Sequence, residues 1–321
     1  MTLKIGVVMD PIESIKPYKD TTFAMMLEAQ ARGYHLFYIE LGDMYLADGE
    51  AWANTQQIVV EDQSQESYAN NNWFEKSQGG CHIKLGDLDV ILMRKDPPFD
   101  MEFIYVTYIL DRAEQAGALV VNNPASIRSA NEKLFTSWFP QCCPETIVDR
   151  SSHRILQFVK QHQKTIIKPL DGMGGASIFS LTHGDSNCNV IIETLTNHGS
   201  SFAMVQRFIP DVTKGDKRIL MINGEPIDYA LARIPAQGEN RANLAAGGRG
   251  EGQELSERDH WICSQVGPVL REKGLVFVGL DVIGDYLTEI NVTSPTCARE
   301  LDSIFGINIC SKLFDAIEGM V

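Results

Sequence analysis

The chain has 321 residues, 44% hydrophobic and 22% charged, a globular composition with material for two or three packed units. Its formal net charge of -14 excludes general affinity for nucleic acid and obliges any anionic ligand to meet a locally basic pocket. No apolar run is long enough to span a membrane, and seven scattered cysteines without a CxxC pair read as reduced thiols of a cytoplasmic protein.

Met1-Thr2-Leu3-Lys4 runs straight into strand-like sequence, so no signal peptide is expected. Leu3 to Met9 reads as a buried strand ending at Asp10-Pro11. Thr21 or Thr22 can cap a helix running to Arg32, where Gly33 stops it; Phe23, Met26, Leu27 and Ala31 follow helical spacing. Leu36 to Ile39 is the next strand, and this strand–helix–strand order predicts a parallel α/β sheet. Asp48-Gly49 signals a hairpin. Glu61 to His82, rich in Gln, Asn, Ser and Gly, reads as a mobile loop or insertion. Val90 to Met93 is a strand that delivers Arg94, Lys95, Asp96 and Asp100 around Pro97-Pro98. That edge reads either as a ligand-binding edge or as a charged surface turn. Phe103 to Gln115 is a helix, Leu119 to Val121 a strand, and Asn123-Pro124 closes a first unit.

The second unit opens with a helix from Ser126 to Trp138 that carries Lys133. Thr146 to Val148 is a strand and Ser151 to Gln161 a helix. Then comes Thr165 to Phe179, TIIKPLDGMGGASIF, a short strand delivering Lys168 into a turn with Gly172, Gly174 and Gly175. Glycines let backbone N–H groups approach phosphate oxygens closely, and the lysine adds a point charge. The run matches neither the P-loop nor the dinucleotide pattern, so it reads as a phosphate site of another kind or as a glycine-rich hairpin. Val190 to Asn197 is a helix and Phe202 to Phe208 a strand.

In the third unit, Arg218 to Ile222 and Ile227 to Arg233 form a hairpin about Asn223-Gly224. Pro235 to Gly252 is loop-like, rich in small residues and glycines, and long enough to be a lid. Glu257 to Lys273 is an amphipathic helix. Val276 to Asp281 and Tyr286 to Asn291 are strands about Gly284-Asp285. Symmetric pairing about Asp285 sets Asp281 opposite Glu289, and Asn291, two residues on, shares the face of Glu289. Two carboxylates side by side repel unless a cation sits between them, and hard oxygen ligands suit Mg²⁺ shared with phosphates. Solvated acids on a surface hairpin are the alternative, against which the apolar neighbours Val278, Leu280, Val282, Leu287 and Ile290 argue. Cys297 stands beside this polar cluster, where packing is its simplest role. The unit boundaries are set at 1–123, 124–204 and 205–321.

Lys133, Lys168 with its glycine turn, and the Asp281, Glu289, Asn291 hairpin occur in the order of the ATP-grasp ligases. The runs MRKDPPFD (93–100), KPLDGMGGASIF (168–179), NLAAGGRGE (243–251) and LTEINVTSPT (287–296), with VMDPI near the start, resemble the prokaryotic glutathione synthetases within that superfamily, over nearly the whole chain.

The resemblance implies an α/β ATP-grasp fold, in which an N-terminal parallel α/β domain precedes two α+β subdomains enclosing ATP. It implies that Lys133, Lys168 and the Gly172–Gly175 turn contact phosphates, that 205–208 runs beside the adenine and gives it backbone hydrogen bonds, and that Gln206, Phe208 and Asp216 belong to the nucleotide site. Asp281, Glu289 and Asn291 would hold Mg²⁺ or Mn²⁺, with two ions expected. Arg218, Arg233, Arg241 and Asn243 would serve catalysis, and Asp10, Arg94, Asp96, Ser294 and Thr296 the peptide substrate. The implied reaction joins γ-glutamylcysteine to glycine through an acyl phosphate, in a homo-oligomer of two or four copies. Another ATP-grasp ligase, acting on D-alanine or glutamate, shares the chemistry and differs in its pocket. A nucleotide-binding scaffold without turnover has no need of the acidic hairpin.

Overall fold

The architecture is that of a computed structural model, which describes residues 2–63, 68, 72–172, 177–235 and 248–321. The N-terminal unit begins β1 (Lys4–Val8), α1 (Thr21–Ala31) and β2 (His35–Ile39), with β1 and β2 parallel as the pattern predicts. Asp20, not a threonine, caps α1: its Oδ1 accepts from the Phe23 N–H at 2.7 Å, while Thr21 and Thr22 are buried within the helix.

β3 (Met44–Ala47) and β4 (Glu50–Val60) form the hairpin, whose turn places Asp48 and Gly49 at φ 51 and 81. β5 (Phe74–Lys76) and β6 (Cys81–Lys84) both pair with β4. The described part of 61–82 thus carries two paired strands where a mobile loop or insertion was expected. Trp73, 1% exposed, anchors it edge-on to the Phe23 ring with centroids 5.1 Å apart. β7 (Val90–Met93) lies parallel to β1, α2 (Met101–Gln115) is capped by Asp100, and β8 (Leu119–Val121) lies parallel to β7. The main path of the sheet runs β3-β4-β2-β1-β7-β8. The helix expected over 126–138 is broken. α3 (Pro124–Ser129) ends early, and Asn131 Oδ1 accepts from the N–H groups of Lys133 at 3.1 Å and Leu134 at 2.9 Å, starting a separate 3-10 turn.

The middle unit comprises β9 (Thr146–Asp149), α4 (Ser152–His162), β10 (Lys164–Pro169), β11 (Phe179–Thr182), α5 (Cys188–Leu195) and β12 (Ala203–Arg207). Its strands are antiparallel in the order β11-β10-β12-β9. The boundary expected between 204 and 205 cuts β12, which belongs whole to this sheet.

The third unit comprises β13 (Asp216–Ile222), β14 (Glu225–Ile234), β15 (Arg249–Glu254), α6 (Glu257–Glu272), β16 (Phe277–Ile283), β17 (Tyr286–Asn291), α7 (Ala298–Phe305) and α8 (Ile309–Glu318). Its antiparallel order is β15-β14-β13-β16-β17. The expected loop over 235–252 ends sooner than its composition suggests, because Arg249 to Gly252 pair with β14. Glycine is tolerated in β15 for a reason: a Cβ on Gly252 would stand 2.6 Å from the Phe305 ring of α7.

Among the described residues, three apolar cores hold these layers. Two are shared by the first and third units: Ile91, Met93 and Leu110 with Leu280 and Val282 in one, Phe23 and Met26 with Leu313 and Phe314 in the other. The middle unit has its own small core of Ile155, Val159, Ile167, Leu181, Ile192 and Val205.

Candidate active site

A cavity of about 900 Å³ lies where the three units meet, within the range of small-molecule sites. Its floor is the β16–β17 hairpin. Asp281 pairs directly with Glu289, and Asn291 with Gly279, as expected; the register then shifts towards the turn, and the extra residue, Thr288, donates its hydroxyl to the Asp281 carbonyl at 3.1 Å. Gly279 lets Arg218 cross the strand, since a Cβ there would meet Arg218 Cδ at 3.0 Å.

Asp281 does not face Glu289 alone. Arg218 grips it with two bonds, Nε–Oδ1 at 2.6 Å and Nη2–Oδ2 at 3.1 Å, and Arg233 Nη2 reaches Oδ2 at 3.0 Å. Burial works to raise the Asp281 carboxyl, but the two guanidiniums outweigh it and hold it well below the usual carboxylate range. Asp216, in contrast, is pushed up to about 7 by burial, with Asp281 and Glu289 adding to it, despite Arg233 Nη2 at 2.6 Å from its Oδ2. Its Oδ1 is buried with no hydrogen-bond partner among the described residues.

On the other side, Glu289 Oε1 stands 3.5 Å from Lys168 Nζ and 3.7 Å from Lys133 Nζ. Lys168 also donates to the Thr288 carbonyl at 3.3 Å, and Lys133 to Glu132 and to the Gly172 carbonyl. Burial alone would lower the Lys133 pKa; Glu289 and Glu132 reverse that, so the ammonium is held. Four cations thus share four carboxylates, Asp281, Asp216, Glu289 and Glu132, in a largely buried site, and the cations are donors that can turn to phosphoryl oxygens once metal ions take up the carboxylates.

Gln206 is buried on the cavity wall, its Nε2 donating to Thr146 Oγ1 at 3.1 Å, and Phe208 lies beneath Lys164 Nζ at 3.8 Å from the ring centroid. The backbone expected to meet adenine is not open at 205 and 206, where β12 is paired on both sides, and the Arg207 N–H donates to the Glu145 carbonyl at 2.9 Å. The Phe208 N–H is also taken, by the Lys164 carbonyl at 3.1 Å. On this wall the Gln206 side chain, the Arg207 carbonyl and backbone beyond the Phe208 N–H are the polar groups left outside the sheet's own pairing.

The residues expected to bind peptide divide. Asp96, Ser294 and Thr296 line the cavity. Arg94 is 5% exposed and braces the wall from behind, donating to Thr22 Oγ1 at 3.1 Å and to the Pro295 carbonyl at 2.9 Å. Asp10 holds the Asp96 turn, accepting from the Asp96 N–H at 3.1 Å and pairing with Lys95 at 2.9 Å. Gly174, Gly175, Arg241 and Asn243 lie outside the described residues. Lys19, Asp20, Glu132 and Glu300 also line the cavity and were not singled out from sequence. Only Glu132 carried a signal, as the neighbour of Lys133.

Residues 3–128 match the model of the prokaryotic glutathione synthetase N-terminal domain, and residues 132–306 that of the prokaryotic glutathione synthetase ATP-grasp domain. The chain belongs to the prokaryotic glutathione synthetase family. It is 58% identical over 320 residues to a glutathione synthetase of Vibrio parahaemolyticus, covering 99% of both chains. It is 56% identical over 316 residues to one of Escherichia coli, covering 98% of both. Like that family, the chain is an ATP-dependent carboxylate–amine ligase, and its activity is glutathione synthesis.

Solved structures share the fold at low identity. D-cycloserine synthetase DcsG superposes with a TM-score of 0.66 at 13% identity, covering 99% of this chain and 100% of its own. D-alanyl-alanine synthetase A of Vibrio cholerae gives 0.58 at 11% identity, covering 99% and 98%.

Proposed function

We propose that the chain joins γ-glutamylcysteine to glycine through an acyl phosphate formed in this cavity. A carboxylate is a poor electrophile, because its charge repels an amine and oxide is a poor leaving group. Attack of the cysteinyl carboxylate oxygen on the γ-phosphorus of ATP releases ADP and gives a mixed anhydride. The free amine of glycine then attacks the acyl carbon, loses a proton, and expels phosphate.

The observation that carries this reading is the convergence of Lys133, Lys168, Arg218 and Arg233 on one buried acidic hairpin. Lys133 and Lys168 are placed for the nucleotide's phosphates, Arg218 and Arg233 for the oxygens of the phosphoryl group in transfer, and Asp281 holds both guanidiniums in position. Asp281, Glu289 and Asn291 offer hard oxygens on one face, the donor chemistry of Mg²⁺ or Mn²⁺, and the unpartnered Asp216 Oδ1 adds a fourth oxygen nearby. Two such ions fit the reading, and when bound they supply charge neutralisation to the triphosphate. Asp96, Ser294 and Thr296 belong to the peptide end. The same reading puts the chain in the cytoplasm as a homo-oligomer of two or four copies, without nucleic-acid or membrane partners.

The test is a product assay. ADP and glutathione should appear in equal amounts only when ATP, γ-glutamylcysteine, glycine and a divalent cation are all present. ADP formed with D-alanine or glutamate in place of the peptide would transfer the reading to another ligase.

A further inference from the structure

Lys133 and Lys168 approach Glu289 from different parts of the chain. Lys168 lies near the end of β10 in the middle unit, whereas Lys133 lies in the short connection between α3 and the 3-10 turn (Leu134–Trp138). A lysine ammonium rides on a flexible four-carbon stem. Two of them make a defined cradle for an anion only where the backbone beneath each is held.

Asn131 holds both segments. Its Oδ1 accepts from the N–H groups of Lys133 and Leu134, which sets the Lys133 backbone at the head of the turn. Its Nδ2 donates to the Leu170 carbonyl at 2.9 Å, two residues past Lys168. The Asn131 carbonyl accepts from the Phe135 N–H at 2.9 Å. The next carbonyl, of Glu132, accepts from the Ile290 N–H at 2.8 Å, one residue past Glu289. Segment 131–133 is thereby tied to β17 on one side and to the end of β10 on the other. Two N–H groups at one end of the carboxamide and a carbonyl at the other fix its orientation. Aspartate has the same reach but no donor; serine can accept from the turn but is too short to bridge to Leu170.

We propose that Asn131 is a positioning residue for ATP: it fixes Lys133 against the end of β10 that carries Lys168, and so sets the gap between the two ammoniums that receives the phosphates. This rests on the reading of both lysines as phosphate ligands. Glu132 and Lys168 line the cavity and Asn131 does not, so its effect on the nucleotide passes through Lys133.

The experiment measures ATP affinity by calorimetry, with γ-glutamylcysteine and glycine left out, in the parent, Asn131→Ser, Lys133→Met and the double variant. Asn131→Ser should weaken ATP by about three- to tenfold, the worth of one hydrogen bond, with KM for γ-glutamylcysteine and glycine unchanged. In the Lys133→Met background the same substitution should have almost no further effect, because the lysine through which it acts is gone.

Asn131 also supports the turn that seats Phe135 in the core. If that is its whole role, Asn131→Ser lowers Tm and either leaves ATP affinity at the parental value or costs the same factor in both backgrounds; each result overturns the proposal. It is overturned as well if KM for glycine or γ-glutamylcysteine rises as much as ATP affinity falls. Should Asn131→Ser not fold, Asn131→Asp takes its place in the same cycle. Aspartate keeps both accepting bonds and lacks the donor, and any general repulsion of ATP by its charge appears in both backgrounds and cancels from the coupling; an absence of coupling to Lys133 again overturns the proposal. A Lys133→Met variant that binds ATP as tightly as the parent defeats the phosphate reading, and the proposal with it, whatever the Asn131 variants do.

Discussion

At the scale of single residues, Lys168 and Glu289 show how far local pattern carries. Lys168 was legible as a charge at the end of a strand, and Glu289 as the partner of Asp281 across a hairpin, because strand periodicity and a turn at Gly284-Asp285 fix both. Arg218 and Arg233 sharing Asp281 was not legible, since it depends on β13 lying between β14 and β16. Glu289→Gln should lower kcat by at least tenfold with an unchanged circular dichroism spectrum, since it removes a charge from the phosphoryl site; near-parent turnover at limiting Mg²⁺ would contradict the role. Lys168→Ala should weaken ATP binding by about 1.5–3 kcal/mol, the cost of a lost charged hydrogen bond, as measured by calorimetry. An unchanged ATP affinity would place the triphosphate elsewhere.

At the scale of elements, close approaches and buried corners decide what a substitution does. In an ordinary helix, alanine in place of glycine stabilises by about 1 kcal/mol. α6 is not ordinary, because a Cβ on Gly267 would lie 2.1 Å from the Gly224 carbonyl oxygen at the β13–β14 turn. Gly267→Ala should therefore destabilise, by about 1–3 kcal/mol in urea unfolding; a stabilised variant would mean that helix and turn can separate freely. The corner between α7 and α8 carries Asp302, whose Oδ1 accepts from the Ile309 N–H at 2.9 Å. Burial nevertheless pushes this carboxyl up to about 6. The folded chain thus binds that proton more tightly than the unfolded one, so Asp302 costs stability as pH rises from roughly 4 towards about 6, after which the cost is constant. Asp302→Asn keeps an acceptor oxygen and removes the titration. Its Tm gain over the parent should grow across that window and level off above it, and a gain independent of pH would count against the assignment. β4 illustrates what pattern concealed at this scale: its inward positions include Ala51, Ala53 and Thr55, too small or too polar to read as an apolar alternation. The pairing of β15 was hidden likewise by its glycines.

At the scale of the molecule, the strand and helix order predicted the parallel run β2-β1-β7-β8 but not the antiparallel β3, β4, β5 and β6 that complete the N-terminal sheet, and the resemblance supplied the ATP-grasp arrangement of the other two units. How the cores are partitioned follows from long-range packing that periodicity does not encode. The middle unit, with its separate core, should open in hydrogen exchange as a cooperative block of its own. Ile192→Ala should lower the protection of amides in β9, β10 and β12 by about 2–5 kcal/mol while leaving those of β1, β7 and β16 unchanged. A uniform loss across all three sheets would show a single cooperative unit instead. The other two cores close between distant parts of the chain. α8 packs on α1, and Arg32, at the C-terminal cap of α1, bonds Glu318 of α8 at 2.5 Å across 286 positions of sequence. During synthesis on the ribosome, the inner face of α1, with Phe23 and Met26, is made long before the helix that covers it. The nascent N-terminal sheet must wait with an apolar flank uncovered while the middle unit, whose partners are all local, can already be complete. The order of folding in the cell should therefore run from the centre outward, with the greatest exposure to aggregation lasting until α8 is free to cover α1.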